Sequence, residues 1–163
     1  MGFTMSKKKD YRPNVAAVVL SPDFSESGLY FLAKRKGIRR AWQFPQGGID
    51  EGETPRDALM RELMEEIGTN DVEVIAEFPE WISYDFPNNK SKCDKKYPYK
   101  GQNQKYFLVK LKEDAVINLS YDNMPEFEEF MYVSESELFK RALYMKRRAY
   151  KRVIEYFKKE GHI

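Results

Sequence analysis

Residues 47–69 read GGIDEGETPRDALMRELMEEIGT, a glycine-rich loop that runs into a helix. Thr54 suits the cap of that helix, and Pro55 suits its first position because a proline leaves no unsatisfied N–H there. Gly68 is a natural stop, since glycine readily adopts the left-handed conformation found at helix ends. The sequence therefore predicts a helix over residues 55–67, preceded by a polar loop.

Glu62, Glu65 and Glu66 lie three and four positions apart, so the predicted helix places their carboxylates on one face. Three neighbouring negative charges repel one another unless a cation lies between them. A solvated helix surface is the ordinary interpretation of such a group, and a divalent cation site is the alternative. An apolar stripe runs directly beside these carboxylates, so they border the core. Partial burial favours a hard cation such as Mg²⁺ or Mn²⁺.

The composition limits which chemistry is possible. The chain has 163 residues, a formal net charge of +2, one cysteine and one histidine. Cys93 has no partner for an internal disulfide, and one cysteine cannot build a cysteine-based zinc site. His162 lies one residue from the end, which leaves histidine-dependent triads without their base. Carboxylates must therefore carry any acid–base chemistry.

The length suits one domain, large enough to bury about two-thirds of the surface that the unfolded chain exposes. We expect a mobile tail over residues 1–10 and a single domain over residues 11–160. The sequence lacks an apolar run of about 18 residues, and its start lacks the apolar segment of a signal peptide. We therefore predict a cytoplasmic protein without membrane association, and nothing in the sequence specifies a protein partner.

Runs of branched and aromatic residues predict five strands, at residues 14–20, 29–33, 72–78, 105–111 and 130–133. Ser134 and Glu137 form a capping box for a short helix to residue 142. An apolar i, i+4 ladder of Met145, Ala149, Val153 and Phe157 predicts a longer helix to residue 159. Strands on both sides of a central helix, with helices at the end, indicate an α/β (α+β) fold with a mixed sheet sandwiched between helices.

Two other features permit more than one interpretation. Residues 87–104 form one long polar and basic loop, which is either simply flexible or a binding element. Basic side chains cluster at residues 34–40 and again at residues 140–152. These clusters are either solvated faces or, beside an acidic metal site, clamps for a polyanion.

The acidic helix also carries a longer pattern of spaced identities. Gly47 lies six residues before Glu53, Glu53 lies eight before Arg61, and the run RELMEEIG follows from Arg61 without a gap. This pattern resembles the Nudix box, G-x5-E-x7-R-E-U-x-E-E-x-G-U, in which U is a bulky aliphatic residue. The last position departs from it, because Thr69 replaces the aliphatic residue. We interpret that departure as a small packing change that leaves the carboxylates untouched.

Four segments outside the box narrow the resemblance. They are YRPNV at residues 11–15, WQFPQGGI at residues 42–49, GQNQK at residues 101–105 and PEF at residues 125–127. Together they resemble the Nudix branch of bacterial RNA pyrophosphohydrolases, also described as dinucleoside polyphosphate hydrolases. The resemblance implies a Nudix-type α-β-α sandwich. It also implies removal of pyrophosphate or successive phosphates from the 5′ end of RNA, which leaves a 5′-monophosphate and initiates mRNA decay.

The resemblance implies a metal site at the matching positions. Mg²⁺, or Mn²⁺ in its place, would be bound by the Gly47 carbonyl together with Glu62, Glu65 and Glu66. Glu126 would supply a further ligand or activate the attacking water. No activated nucleophile is visible in the sequence, so a covalent enzyme intermediate is not expected.

The resemblance also implies positioning and phosphate-binding residues. Arg61 would orient the carboxylates, and Glu53 would hold the loop by accepting backbone hydrogen bonds. Arg12 would contact the 5′ phosphates, as would one of Lys34 and Arg35, whose alignment is ambiguous. Lys105 is a weaker candidate for the same role.

The base pocket is where this sequence departs from the branch. A phenylalanine that stacks on the first base precedes a Lys-Arg pair in the branch, whereas Met145 precedes Lys146 here. A thioether covers a base without offering a π face, so either Tyr144 takes over or base preference loosens. Alternatively, Met145 belongs to the apolar ladder. Tyr84 occupies the other aromatic position near the base, and its alternative is a structural core tyrosine.

Two rival functions stay open at the level of sequence. A hydrolase of dinucleoside polyphosphates or free nucleotides would share every catalytic residue. A non-catalytic RNA-binding domain would have lost some of the carboxylates, yet all of them are present, at Glu53, Glu62, Glu65, Glu66 and Glu126.

Overall fold

The computed structural model describes residues 10–87 and 98–163. Its strands are β1 (Tyr11–Leu20), β2 (Tyr30–Arg35), β3 (Trp42–Gln43), β4 (Gln46–Gly48), β5 (Val72–Asp85), β6 (Gly101–Leu111) and β7 (Phe127–Val133). Its helices are α1 (Phe24–Ser27), α2 (Pro55–Ile67), α3 (Glu135–Arg141) and α4 (Tyr144–Lys159). The tail predicted over residues 1–10 lies outside the described residues except for Asp10, and Cys93 lies outside them too.

Strand β1 is the centre of one mixed sheet. It runs parallel to β6 and antiparallel to both β2 and β4. Its first half pairs with β4, where Val15 faces Gly47, and its last residue pairs with β2. Side chains of β1 are buried on both faces, as expected for a strand covered by helices on each side. This arrangement holds the glycine strand β4 against the middle of the sheet.

Two apolar layers confirm the predicted α-β-α sandwich. One layer packs Val18 and Tyr106 of the sheet against Val153 and Phe157 of α4. The other packs alternate sheet residues, such as Val19 and Phe107, against α2. Consecutive side chains of a strand point to opposite faces, so β1 and β6 contribute to both layers. In β1 and β6, alternate residues therefore face the α4 layer and the α2 layer.

Helix α2 has the bounds that the sequence predicts. Thr54 accepts a hydrogen bond from the Asp57 backbone N–H at 3.1 Å, and Gly68 ends the helix in the left-handed conformation with φ of 74°. The predicted cap of α3 is also present, since Ser134 accepts from the Glu137 N–H at 3.3 Å. Each of these signals acts within one helical turn.

The predicted apolar ladder on α4 is wrong at its first position. Met145 has 39% of its surface exposed, and the buried face of α4 instead begins with Lys146 and continues through Tyr150 and Val153. The hydroxyl oxygen of Tyr150 accepts a hydrogen bond from the Phe44 backbone N–H at 3.0 Å. Val153 and Phe157 of the predicted ladder are buried, but in the first turn Lys146 takes the buried position instead of Met145.

Several strands extend beyond their predicted bounds. β1 begins at Tyr11, β5 continues to Asp85, and β6 begins at Gly101, inside the segment predicted as a long loop. The short elements α1, β3 and β4 were not predicted at all. Residues 88–97 of the predicted loop lie outside the described residues. Within the described ranges, no helix has the length and apolarity needed to cross a membrane, and the cytoplasmic location stays a prediction.

Candidate active site

A cleft of about 730 Å³ opens where β1, β4 and β6 meet the helices α2 and α4. Pockets of this size are typical of sites for small molecules and cofactors. Its wall brings together most of the residues predicted for the site, namely Arg12, Arg35, Gly47, Glu62, Glu65, Glu66, Tyr84, Glu126, Met145 and Lys146. Negative charge comes from α2 and from the segment before β7, and positive charge comes from β1, β2 and α4.

The carboxylates of α2 lie directly against the glycine strand β4. Glu66 is buried, with 5% of its surface exposed, and its Oε1 accepts the Gln46 backbone N–H at 3.0 Å. A Cβ atom at Gly47 would lie 2.0 Å from Cδ of Glu62, so a larger residue there would displace the Glu62 carboxylate. Glycine at position 47 therefore lets the Glu62 carboxylate lie directly against the backbone of β4.

Burial raises the pKa of these acids. The pKa of Glu62 rises to about 7, chiefly because the carboxyl is desolvated, although the hydrogen bond and charge of Arg61 pull it the other way. The pKa of Glu66 is also raised, first by burial and then by the charges of Glu62 and Glu126. These acids repel one another inside the cleft, so a cation between them would remove an electrostatic cost.

Arg61 holds the loop and the carboxylates together. Its Nε and Nη2 donate to both carboxylate oxygens of Glu53, at 2.8 and 2.7 Å, and Nη2 also donates to the Gly48 carbonyl at 2.8 Å. Its Nη1 donates to Glu62 at 2.8 Å and to Glu65 at 3.3 Å. The planar fork of an arginine allows all these contacts at once.

Glu53 contacts Arg61 but is not among the residues that line the cleft. Its Oε1 accepts the Asp50 backbone N–H at 2.8 Å, as predicted for a residue that holds the loop. The hydrogen bond from Arg61 lowers the pKa of Glu53. A carboxylate with both oxygens occupied and a lowered pKa is a poor proton acceptor, so the contacts of Glu53 suit a positioning residue better than a general base.

Of the predicted phosphate-binding residues, Arg12 and Arg35 line the cleft and Lys34 does not. A Cβ atom at Gly48 would lie 2.3 Å from Nη2 of Arg12, so the guanidinium of Arg12 lies against the glycine strand. Arg35 lines the cleft, with its Nη2 3.9 Å from Oε1 of Glu126. Lys34 does not line the cleft and forms an ion pair with Glu128 instead. The pairing of β2 with β7 shifts register between positions 34 and 35, and because only Arg35 of the two lines the cleft, we retain Arg35.

Lys105 does not reach the cleft in the part of the chain that the structure describes. Its neighbours in β6, Gln104 and Tyr106, point toward α4 and the cleft, so Lys105 points toward α2. There it lines a different pocket together with Trp81. The weaker of the predicted phosphate contacts is therefore wrong for this cleft.

The opposite wall of the cleft offers an aromatic and cationic surface. The Tyr84 hydroxyl donates to Oε1 of Gln102 at 2.9 Å, and Nζ of Lys146 lies 5.5 Å from the centre of the Tyr84 ring. Lys146 is buried and donates to the Gln46 side chain. Tyr84 is thus a cleft residue rather than a core tyrosine, and burial raises its pKa. Met145 lies on the same wall.

Tyr144 does not replace the missing aromatic residue in this structure. Its side chain is 85% exposed, and the Arg147 guanidinium lies 5.9 Å from its ring centre. Most of the other basic residues near the C-terminus also lie outside the cleft. Arg141 pairs with Glu137, and Arg152 pairs with Glu80 on the surface. The charge cluster is therefore mainly a solvated face, with Lys146 as its contribution to the site.

A network of amide side chains forms the floor of the cleft and was not predicted. Gln104 Nε2 donates to Asn14 at 2.8 Å and to Gln46 at 3.1 Å, and Gln46 Nε2 donates to Gln102 at 3.1 Å. Nδ2 of Asn14 is buried without a hydrogen-bond partner among the described residues. The signal in the sequence was a set of amides in strands that are otherwise apolar, where unpaired amides would be costly.

The donor set fits a hard divalent cation, although the described residues contain no ready-made cluster of three or more metal ligands. Glu62, Glu65, Glu66 and Glu126 all line one cleft and offer only oxygen atoms. Arg61 holds two of them, which partly offsets their repulsion. Carboxylate and carbonyl oxygens are the ligands that Mg²⁺ and Mn²⁺ prefer.

Comparison with known proteins agrees with this geometry. The sequence matches the family described as NUDIX domain over residues 10–157. The chain belongs to the Nudix family. Nudix hydrolases act on phosphoanhydride bonds and generally use divalent metal ions. This Nudix chain matches over nearly its whole length, so the family assignment covers both the acidic helix and the α4 side of the cleft.

Two relatives place the chain in the RNA pyrophosphohydrolase branch. An RNA pyrophosphohydrolase of Sulfurovum sp. (strain NBC37-1) is 60% identical over 159 residues, which cover 98% of this chain and 100% of the relative. An RNA pyrophosphohydrolase of Helicobacter pylori (strain ATCC 700392 / 26695) is 52% identical over 155 residues, covering 95% and 98% of the two chains.

Solved structures share the fold at lower sequence identity. An Ap4A hydrolase of C. elegans matches with a TM-score of 0.67 and 19% identity over 91% of this chain and 98% of its own. The dihydroneopterin triphosphate pyrophosphohydrolase of E. coli matches with a TM-score of 0.65 and 17% identity over 86% and 94%. These likenesses support the Nudix-type sandwich.

Proposed function

We propose that this chain is an RNA pyrophosphohydrolase that removes pyrophosphate, or phosphates one after another, from the 5′ end of RNA. The product is a 5′-monophosphorylated RNA, whose formation would initiate mRNA decay. The observation that carries the proposal is the cleft itself, which places buried carboxylates of α2 opposite Arg12, Arg35 and Lys146. The names of the relatives at 52–60% identity support the choice of RNA as substrate.

The proposed cofactor is Mg²⁺, with Mn²⁺ as a substitute. Glu62, Glu65, Glu66 and Glu126, with the Gly47 carbonyl, would hold it, since all five residues line the cleft. A bound divalent cation supplies charge neutralisation for the phosphates and lowers the pKa of a coordinated water. The buried position of Glu66 and the raised pKa of Glu62 support a role that requires a neighbouring cation.

The chain's own residues would bind and orient the substrate. Arg12 and Arg35 provide guanidinium groups suited to phosphate oxygens, and both can stabilise negative charge on the departing phosphates. Lys146 and the Tyr84 ring, 5.5 Å apart, form a surface for the first base. Met145 extends this surface without a second π face, so we expect base preference to be loose.

Glu126 is our candidate for the residue that accepts the proton of the attacking water. Its side chain is 52% exposed, so solvent reaches it, and Arg35 contacts it at 3.9 Å. Glu53 is less suited because Arg61 and a backbone N–H occupy its oxygens. Removal of a proton by a carboxylate in contact with water is ordinary general base catalysis.

Substitution of Glu65 tests the catalytic site. Glu65 is 42% exposed and contacts Arg61 at 3.3 Å, so Glu65→Gln should leave the fold intact. We expect Mg²⁺-dependent release of phosphate from 5′-triphosphorylated RNA to fall roughly 100-fold or more. The matched control is Glu73→Gln, an exposed acid on β5, which should retain full activity. Equal activity of the two variants would contradict the metal assignment.

The choice of substrate needs a second measurement. Turnover of 5′-triphosphorylated RNA is compared with that of diadenosine tetraphosphate, and we expect the RNA to have the higher kcat/KM. A strong preference for the dinucleotide would replace this function with dinucleoside polyphosphate hydrolysis by the same residues. Binding of RNA without turnover of either substrate would identify a non-catalytic RNA-binding domain.

A further inference from the structure

A second pocket, of about 550 Å³, lies on the α2 side of the sheet. It is bounded by the first turn of α2, by β5 and by β6, and it has no lining residue in common with the cleft. Thr54 and Arg56 line it from α2, Trp81 from β5 and Lys105 from β6. Trp81 and Lys105 are directly paired across the two strands.

Lys105 is the unusual residue of this pocket. Only 8% of its surface is exposed, and its side chain makes no hydrogen bond or ion pair with any residue in the described ranges. Buried lysines are rarely left without a partner, because removing an ammonium from water is costly. Glu77 is the acid that lines the pocket, but its side chain is exposed and does not pair with Lys105. Its ammonium therefore lines the pocket without a counter-charge among the described residues, and an anionic ligand would provide one.

Two further features of the wall suit an anion. Helix α2 has 13 residues, and its positive end opens onto the pocket at Thr54. Arg56 is exposed at the rim, where its guanidinium can reach a ligand phosphate. The half-buried indole of Trp81 adds a flat apolar surface of the kind on which nucleobases stack.

We propose that this pocket binds one nucleotide, with Lys105 and the start of α2 on its phosphate and Trp81 against its base. The nucleotide is either free in solution or a downstream residue of a bound RNA, since both present the same phosphate and base. This site does not depend on the function proposed for the cleft. It gives Lys105 a phosphate-binding role on the face of the sheet where the structure places it.

Nuclear magnetic resonance can observe the two sites separately. The probe is adenosine monophosphate, the indole N–H of Trp81 reports on the pocket, and the Gly47 and Gly48 amides report on the cleft. We expect the nucleotide to shift the Trp81 signal, and adenosine without phosphate to bind there roughly tenfold more weakly. Absence of a Trp81 shift, or equal binding of adenosine, would overturn the proposal.

Variants identify the residues responsible. Lys105→Met removes the charge but keeps an unbranched buried side chain, and it should weaken the Trp81 response roughly tenfold while the cleft signals still shift. Arg56→Gln, on an exposed residue, should weaken it several-fold without any risk to folding. Lys112→Gln, an exposed lysine paired with Asp71 at 3.6 Å, is the matched control. An unchanged Trp81 response in both pocket variants would overturn the assignment.

A 5′-monophosphorylated oligonucleotide distinguishes the two sources of the ligand. If the pocket binds a downstream residue of RNA, the Trp81 signal and the cleft amide signals shift together, with the same midpoint in a titration with the oligonucleotide. If it binds free nucleotides, the oligonucleotide shifts only the cleft amides, and adenosine monophosphate shifts Trp81. Either pattern supports the site. A Trp81 response in a protein that fails to hydrolyse RNA would reject only the function proposed for the cleft.

Discussion

At the scale of single residues, Arg61 explains how acids can share a buried space before any cation binds. One guanidinium contacts Glu53, Glu62 and Glu65 together with the carbonyl of Gly48. It therefore fixes the loop relative to the helix and neutralises part of the charge. A lysine has a single ammonium and could not make these contacts at once.

The raised pKa of Glu62 makes stability depend on pH. The unfolded carboxyl titrates near 4.5 and the folded one near 7, so the folded state binds more protons between these values. Stability is therefore lost as pH rises through that window, by up to about 3 kcal/mol if the whole shift is expressed. The variant Glu62→Gln has no ionisable group at this position, so it should not lose this stability as the pH rises.

Denaturant unfolding in EDTA, at pH values from about 4.5 to 7.5, measures this effect. The difference in free energy of unfolding between Glu62→Gln and the wild type should grow in favour of the variant as pH rises. A difference that stays constant across the range would contradict the raised pKa of Glu62, because the variant removes the ionisation of position 62 and its repulsion of Glu66.

At the scale of elements, the short strand β4 serves two functions through two adjacent glycines. A Cβ atom at Gly47 would collide with Glu62, and one at Gly48 would collide with Arg12. We therefore expect Gly47→Ala to lower kcat and weaken activation by Mg²⁺. Gly48→Ala should instead raise KM for triphosphorylated RNA. Each change should cost roughly 100-fold in kcat/KM, as displacements of about 1 Å do in active sites.

Steady-state kinetics with varied Mg²⁺ and varied RNA separates the two effects. Gly28→Ala is the control, since a Cβ atom there meets open space although its φ is 66°. It should lower stability slightly through backbone strain and leave activity unchanged. The same kinetic defect in both β4 variants would show that the strand acts as a single support rather than separating the two groups.

Elements differ in how well the sequence predicts them, for a physical reason. Helix α2 has the predicted bounds because its signals, Thr54 and Gly68, act on neighbouring residues. The start of β6 was predicted as loop because Gln102 and Gln104 are polar, and their partners are distant in sequence. Gln104 bonds to Asn14, 90 positions away. Such long-range pairing is invisible to any local pattern.

The candidate site follows the same rule. The acidic face of α2 could be predicted because one helix carries all its members. The choice of Arg35 over Lys34 required knowing which of the two lines the cleft. The position of Lys105 required knowing which face of β6 it occupies. Met145 was ambiguous for the same reason, since the buried face of α4 depends on what packs against it.

At the scale of the whole molecule, the cleft joins both layers of the sandwich. Glu66 of α2 accepts from the Gln46 backbone, while Lys146 of α4 donates to the Gln46 side chain. Residue 46 thus connects the acidic helix on one face of the sheet to the basic helix on the other. A ligand that binds in the cleft contacts both layers, so its binding energy adds to the stability of the entire fold.

Mg²⁺ should therefore raise the melting temperature of this protein. A ligand at 100 times its Kd stabilises the folded state by about 2.7 kcal/mol, which corresponds to roughly 5–10 °C for a chain of this size. The increase should be larger at pH 8 than at pH 5.5, because the raised pKa of Glu62, about 7, makes protons compete with the cation at low pH. The increase is measured by thermal unfolding of the wild type and of Glu66→Gln, each in Mg²⁺ and in EDTA. Equal increases in the variant and the wild type would place the cation elsewhere, because Glu66 is the most deeply buried acid of the cleft and its charge needs a partner there.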